Sequence, residues 1–234
     1  MARLIVAFIR HGDYHQLNNA PSAFQPFDLN DDGRNQAFIV CQKIESTLQE
    51  NGWQLISKID SSQLLRAWQT ANIMSVNLSN DLGKSLFVES FDALAERCVG
   101  SVANLTVQEI EKIVDIDPRY EMLPAKWKSD SHFRLPFQGA ESLLEAGSRV
   151  AKHVTEQMAL LQKTATVDSL KLFVGHGAAF RHAAYHLGVL EFEQIKKLSM
   201  FHAHPVYLEY DADGQWKHIA GEWKVRDKTT SYTD

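Results

Sequence analysis

The chain has 234 residues, 44% of them hydrophobic and 23% charged, with a formal net charge of −5. That length suits one sizeable domain or a domain carrying an insertion, and the composition is that of an ordinary globular protein. The negative balance argues against a nucleic-acid partner, no apolar run is long enough to span a bilayer, and the two cysteines give no disulfide framework.

Leu4-Ile5-Val6-Ala7-Phe8-Ile9 reads as a buried strand, and Arg10-His11-Gly12 follows it directly. Arg3 precedes a strand rather than the apolar core of a signal peptide, so a cytoplasmic location is expected. Asn30-Asp31-Asp32-Gly33 starts a helix, on which Ala37, Val40, Cys41, Ile44 and Leu48 recur at helical spacing until Gly52. Cys41 lies on that apolar face and reads as a buried free thiol. A short strand is expected over 56–59, a helix over 64–76 and a weak strand over 86–88. Thr106 and Glu109 form a capping box ahead of a helix carrying Ile110 and Ile113.

From Asp117 to Gln138 the periodicity fails, with Pro118, Pro124 and Pro136 among aromatic and charged residues. This is expected to be an insertion, at about 100–140, that lies like a lid over the active edge of a single domain covering 1–234. A long helix runs from Glu141, with Leu144, Ala151, Val154, Met158 and Leu161 on its apolar face. Strand 170–174 ends in Gly175-His176-Gly177, and a helix over 178–187 follows. Segments 205–210 and 216–220 flank the turn 211–214 as a hairpin, and polar residues 229–234 are expected to be loose. Alternating strands and helices predict a three-layer α/β sandwich, with a mostly parallel central sheet and helices on both faces. Two strands then deliver two histidines to one carboxyl edge of the sheet, where such folds bind ligands.

These blocks, in this order, resemble the histidine phosphatase superfamily in its phosphoglycerate-mutase-like branch. Arg10-His11-Gly12 resembles the signature motif, and Leu29 to Ala37 the second block. Ser61 to Ala71 resembles the block supplying a second phosphate-binding arginine, here Arg66. Leu94 to Gly100 resembles the block with the acid, here Glu96; Gly139 to Ser142 and Val174 to Gly177 complete the set. The resemblance implies that His11 is the nucleophile of a transient phosphohistidine, its other ring nitrogen held by a backbone carbonyl. It implies that Arg10, Arg66, His176 and Gly177 bind the phosphate, with His176 acting protonated or as a donor. Gly12 and Gly177 would let the backbone approach the phosphate closely. Glu96 would protonate the leaving alkoxide and then activate water, a role for which Glu89 and Glu109 are the neighbouring alternatives. No metal and no cofactor is required.

The chain departs from mutases of the family where Asp13-Tyr14-His15-Gln16-Leu17-Asn18 follows the signature, and where the segment between Gly100 and Gly139 is short and poor in lysine. Both departures favour a phosphatase hydrolysing phosphomonoesters. A phosphoglycerate-type mutase and a non-catalytic phospho-ligand binder are the alternatives. The acid phosphatase branch is disfavoured, because Gly177 follows His176 and no Arg-x-Pro follows Gly12. The substrate is expected to be a phosphorylated small molecule or a phosphoprotein, and nothing in the sequence fixes the oligomeric state. His182 and His186 have the spacing of metal ligands but no third ligand, and are read as structural. Of His202 and His204, one could face the pocket, although both fit ordinary strand positions. Tyr14 and His15 are expected to line the substrate site, and Trp127, His132, Phe133 and Arg134 its lid.

Overall fold

A computed structural model describes residues 2–21 and 24–226; the polar end, 229–234, lies outside them. The strands are β1 (Leu4–Arg10), β2 (Gln54–Leu55), β3 (Lys58–Ser62), β4 (Phe87–Phe91), β5 (Ser169–Gly175), β6 (Leu198–Ser199), β7 (Pro205–Tyr210), β8 (Trp216–Ala220) and β9 (Lys224–Val225). The helices are α1 (Asp31–Asn51), α2 (Leu65–Leu82), α3 (Val107–Ile116), α4 (Leu143–Gln162), α5 (Gly177–His186) and α6 (Phe192–Ile195). The main sheet runs β4-β3-β5-β1-β7-β8, with β2 also paired to β5. Strands β4, β3, β5 and β1 are parallel, while β7 and β8 continue the sheet antiparallel.

Strand alternation divides the core into two layers. Ile5, Ala7 and Ile9 of β1 face α1 and α2, where Val40, Ile44, Ala71 and Met74 close over them. Leu4, Val6 and Phe8 point the other way, onto Val150, Val154 and Phe180 of α4 and α5. The expected α/β sandwich is thereby built. A third apolar cluster, with Val102, Ile110, Trp127 and Leu135, belongs to the segment after Val99, whose ends meet in a bridge between Val99 and Ala140.

Helix ends follow their local chemistry. Asn30 Oδ1 accepts from Gly33 N–H at 2.8 Å, and Gly52 ends α1 at φ 68°. The Thr106–Glu109 capping box is present, and a second one, Ser142–Glu145, starts α4. Strand β3 lies over 58–62 rather than 56–59. Its residues Asp60, Ser61 and Ser62 look like a turn in sequence but are fully buried. Asp60 is held there by Lys171 Nζ at 2.6 Å and His153 Nε2 at 3.0 Å, which offsets the cost of burying a carboxylate.

Candidate active site

Sheet register explains why two distant histidines meet. Arg10 at the end of β1 pairs with Gly175 at the end of β5, so His11 and His176 leave adjacent strand ends together. Their rings stand 5.1 Å apart, and His11 N–H donates to Gly175 O at 3.0 Å. Strand β3 ends beside them at Ser62, and α2 begins three residues later, placing Arg66 in its first turn.

The tautomer of each ring follows from its partners. His11 Nδ1 lies 2.7 Å from Gly12 O, a carbonyl that can only accept, so Nδ1 carries the proton. Nε2 is left as a lone pair and accepts from Arg66 Nε at 3.1 Å. His176 is arranged the other way round. Its Nδ1 accepts from the Arg66 guanidinium at 3.2 Å, so Nε2–H donates to Ser62 Oγ at 2.9 Å. Both rings are neutral. Burial, reinforced by the Arg66 and Arg10 guanidiniums, holds them well below the ordinary imidazole range. His176 is therefore not the protonated group allowed by the sequence; its one N–H is spent on Ser62.

Arg66 is fully buried, donates to Gln25 O at 2.9 Å, and lies over the Tyr14 ring at 4.6 Å. Burial lowers its pKa. Arg10 donates to Met200 O at 3.0 Å. Glu96 sits in the loop after β4, its Oε1 accepting from Arg97 N–H at 2.9 Å. Arg149 of α4 pins that loop. Its Nη1 reaches Asp92 O, Ala93 O and Ala95 O at 2.9–3.2 Å, while Nε and Nη2 grip Glu141 at 2.9 and 2.8 Å. A narrow cavity results, lined by Arg10, His11, Tyr14, Gln16, Glu96, Gly177, Ala178 and Ser199. The first turn of α5, at Gly177 and Ala178, opens onto it, as suits an anion.

A lone-pair imidazole, two guanidiniums, a helix N-terminus and a carboxyl around one cavity are equipment for phosphoryl transfer. The model of the histidine phosphatase superfamily (branch 1) matches residues 6–220. The chain belongs to that superfamily. No curated protein sequence matches significantly. A mycobacterial glucosyl-3-phosphoglycerate phosphatase is 22% identical at a TM-score of 0.64, covering 96% of this chain and 98% of that one. The phosphoglycerate mutase of Bacillus anthracis str. Sterne is 16% identical at a TM-score of 0.68, covering 94% and 92%. A phosphoserine phosphatase from Entamoeba histolytica is 16% identical at a TM-score of 0.60, covering 97% and 98%. At these identities the likeness is one of fold, and membership of the superfamily rests on the family match.

Within this superfamily fold, the residues singled out from sequence are brought to one place: Arg10, His11, Glu96 and Gly177 line the cavity, and Arg66 and His176 back it. Of the three glutamates weighed as the acid, Glu89 pairs with Lys58 at 2.9 Å and Glu109 caps α3, leaving Glu96 at the cavity. The glycines also have a packing reason. A Cβ on Gly12 would run into the Gly33 carbonyl at the start of α1, and one on Gly177 would press on Arg10 Cδ at 3.1 Å. Tyr14 lines the cavity edge-on to His11, but the insertion residues do not. Trp127 and Phe133 pack in the insertion's own cluster, His132 packs at a tilt against Phe192, and Arg134 reaches Glu145 at 3.5 Å.

His202 stands 5.6 Å from His11 because a parallel bridge ties it to Arg10, whereas His204 turns to Lys43. His182 and His186 bond to Ala178 O and Leu144 O. Sequence reasoning missed Thr70, whose Oγ1 accepts from Gly12 N–H at 3.0 Å, along with Ser62 and Gln25. Thr70 lies one helical turn after Arg66 on α2, and that spacing was the available signal.

Proposed function

We propose that the protein is a metal-independent phosphomonoesterase working through a phosphohistidine on His11. The observation that carries this is the His11 tautomer: Nδ1–H is fixed on Gly12 O, and the Nε2 lone pair points among the guanidinium donors. Arg66 now offers its fork to two imidazole lone pairs, and those donors transfer to phosphate oxygens when an ester enters. Nε2 attacks phosphorus and the P–O ester bond breaks. Glu96, as the general acid, gives a proton to the leaving alkoxide. The resulting carboxylate then takes a proton from water, whose oxygen attacks phosphorus, breaks the P–N bond and releases inorganic phosphate.

His176 holds the Arg66 guanidinium in place, through its Nδ1, before the ester enters. The His11 side chain lies at the bottom of the cavity with the residue only 3% exposed, which suits a slender phosphorylated small molecule, with Tyr14 and Gln16 at the rim. Phosphate release from p-nitrophenyl phosphate tests the reading. Turnover is expected in the presence of a chelator and is lost in His11→Ala with the fold intact. Phosphoryl exchange between two hydroxyls of a phosphoglycerate without phosphate release, followed by phosphorus NMR, would overturn hydrolysis in favour of a mutase. Full turnover by a folded His11→Ala would overturn the mechanism itself.

A further inference from the structure

A second cavity, of about 380 Å³, lies between the insertion, α5, α6 and the residue after β9. It shares no lining residue with the catalytic cavity. Lys126, Arg181, Lys196 and Arg226 line it, with His132, against one carboxylate, Asp130. Four cationic side chains around one cleft are a marked concentration in a chain of net charge −5. Clefts lined by one sign of charge focus potential and raise the local concentration of opposite charge.

A further observation points to an anion. Arg181 is 4% exposed, so a guanidinium is held out of water at the wall of the cleft, donating to Leu198 O at 2.6 Å. A guanidinium at the wall of a cleft presents planar N–H donors suited to phosphate and carboxylate oxygens. Behind it, His182 Nδ1–H donates to Ala178 O, so its Nε2 accepts from the hydroxyl of Ser131, another lining residue. Burial, joined by repulsion from Arg181, Arg97 and Arg226, pushes His182 down to about 3. That imidazole stays neutral and adds no charge of its own. Two of the lining charges have partners at the surface: Lys196 meets Glu193 at 3.6 Å, and Asp130 Oδ1 accepts from the His132 N–H at 2.9 Å.

The cleft is also connected to the catalytic cavity through three consecutive residues. Leu198 O accepts from Arg181, Ser199 lines the catalytic cavity, and Met200 O accepts from Arg10. We propose that this cleft is a second anion site, which takes a compact polyanionic small molecule carrying phosphate or carboxylate groups. Its occupation modulates the catalytic cavity through residues 198–200. The mechanism is competition: an anion that draws Arg181 N–H groups away from Leu198 O loosens the strand whose next residues position Ser199 and Arg10.

Calorimetric titration with citrate and with inorganic pyrophosphate tests the site in an Arg66→Met background, which removes the catalytic phosphate clamp. One equivalent of at least one polyanion is expected to bind, and Lys196→Glu/Arg226→Glu in the same background weakens it at least tenfold. Binding of neither polyanion, or binding indifferent to the charge reversal, overturns the site. Wild-type hydrolysis of p-nitrophenyl phosphate reads the coupling. The polyanion that binds more tightly should give mixed inhibition that becomes purely competitive in Lys196→Glu/Arg226→Glu. Purely competitive inhibition of equal strength in both proteins overturns the coupling. The titration needs no turnover, so it stands whether or not the phosphohistidine reading does.

Discussion

Replacing Arg66 by lysine separates the charge of the clamp from its shape. The guanidinium presents Nε to His11 Nε2 at 3.1 Å and its terminal nitrogen to His176 Nδ1 at 3.2 Å, two donors in one rigid plane. A lysine keeps the positive charge but offers a single point, and cannot meet two phosphate oxygens in parallel. Loss of one donor aimed at transition-state charge costs about 2.7–4 kcal/mol, roughly a 10²–10³-fold drop in rate. Arg66→Lys is therefore expected to lower kcat/KM by that factor and to raise the inhibition constant of inorganic phosphate at least tenfold. Stability should change little. The hydrogen bond to Gln25 O contributes about 1 kcal/mol net, and its loss lowers Tm by roughly 2–4 °C. Steady-state hydrolysis of p-nitrophenyl phosphate, phosphate inhibition and a thermal melt give all three numbers. A folded Arg66→Lys within fivefold of wild-type kcat/KM, with phosphate inhibition unchanged, would refute the clamp.

Stability should fall in acid for a stated reason. Burial first, then neighbouring cations, hold His11, His176 and His182 below the ordinary imidazole range. Below about pH 6.5 the unfolded chain takes up protons that the folded chain refuses, so stability falls with pH, by at most about 4 kcal/mol per unit for the three together. For His182 the loss continues down to about 3. Urea melts at pH 7.5 and 5.5 measure it, and equal midpoints would contradict it. Lys171→Met leaves Asp60 buried without its 2.6 Å partner and should cost about 3–5 kcal/mol, much of it regained in Asp60→Leu/Lys171→Met. A single variant within 1 kcal/mol of wild type, on the scale set for breaking a buried pair, would count against that pairing. Arg149→Ala frees the loop carrying Glu96 and should lower kcat roughly tenfold while leaving KM nearly unchanged, a part of the roughly 10²–10⁴-fold that a positioned general acid contributes. A change confined to KM would point away from that role.

Much of the fold was legible because its cues are local. The uninterrupted apolar run of β1, the Asn30 cap and the Thr106–Glu109 box each declare themselves within a few residues. Part of the site was legible for a related reason: His11 and His176 directly follow strands, and parallel pairing brings those strand ends together. What stayed hidden depends on contacts between distant segments. Asp60 and Ser61 lie outside the strand expected over 56–59, and only Lys171, 111 residues on, shows why a polar strand can be buried there. Thr70 supports Gly12 from 58 residues away, and His202 reaches His11 through a single bridge to Arg10. The insertion has its own small core around Trp127 and Ile110, which short segments between prolines do not reveal as a period. That is why its aromatic residues were expected at the cavity and are packed against each other instead.

The central claim is that His11 Nε2 takes the phosphoryl group. Rapid quench of the protein mixed with radiolabelled phosphomonoester tests it most directly. One label per chain is expected, stable to alkali, released by acid, mapped to His11 and missing from a folded His11→Ala. Label on another residue, or turnover that never passes through a labelled protein, would contradict it.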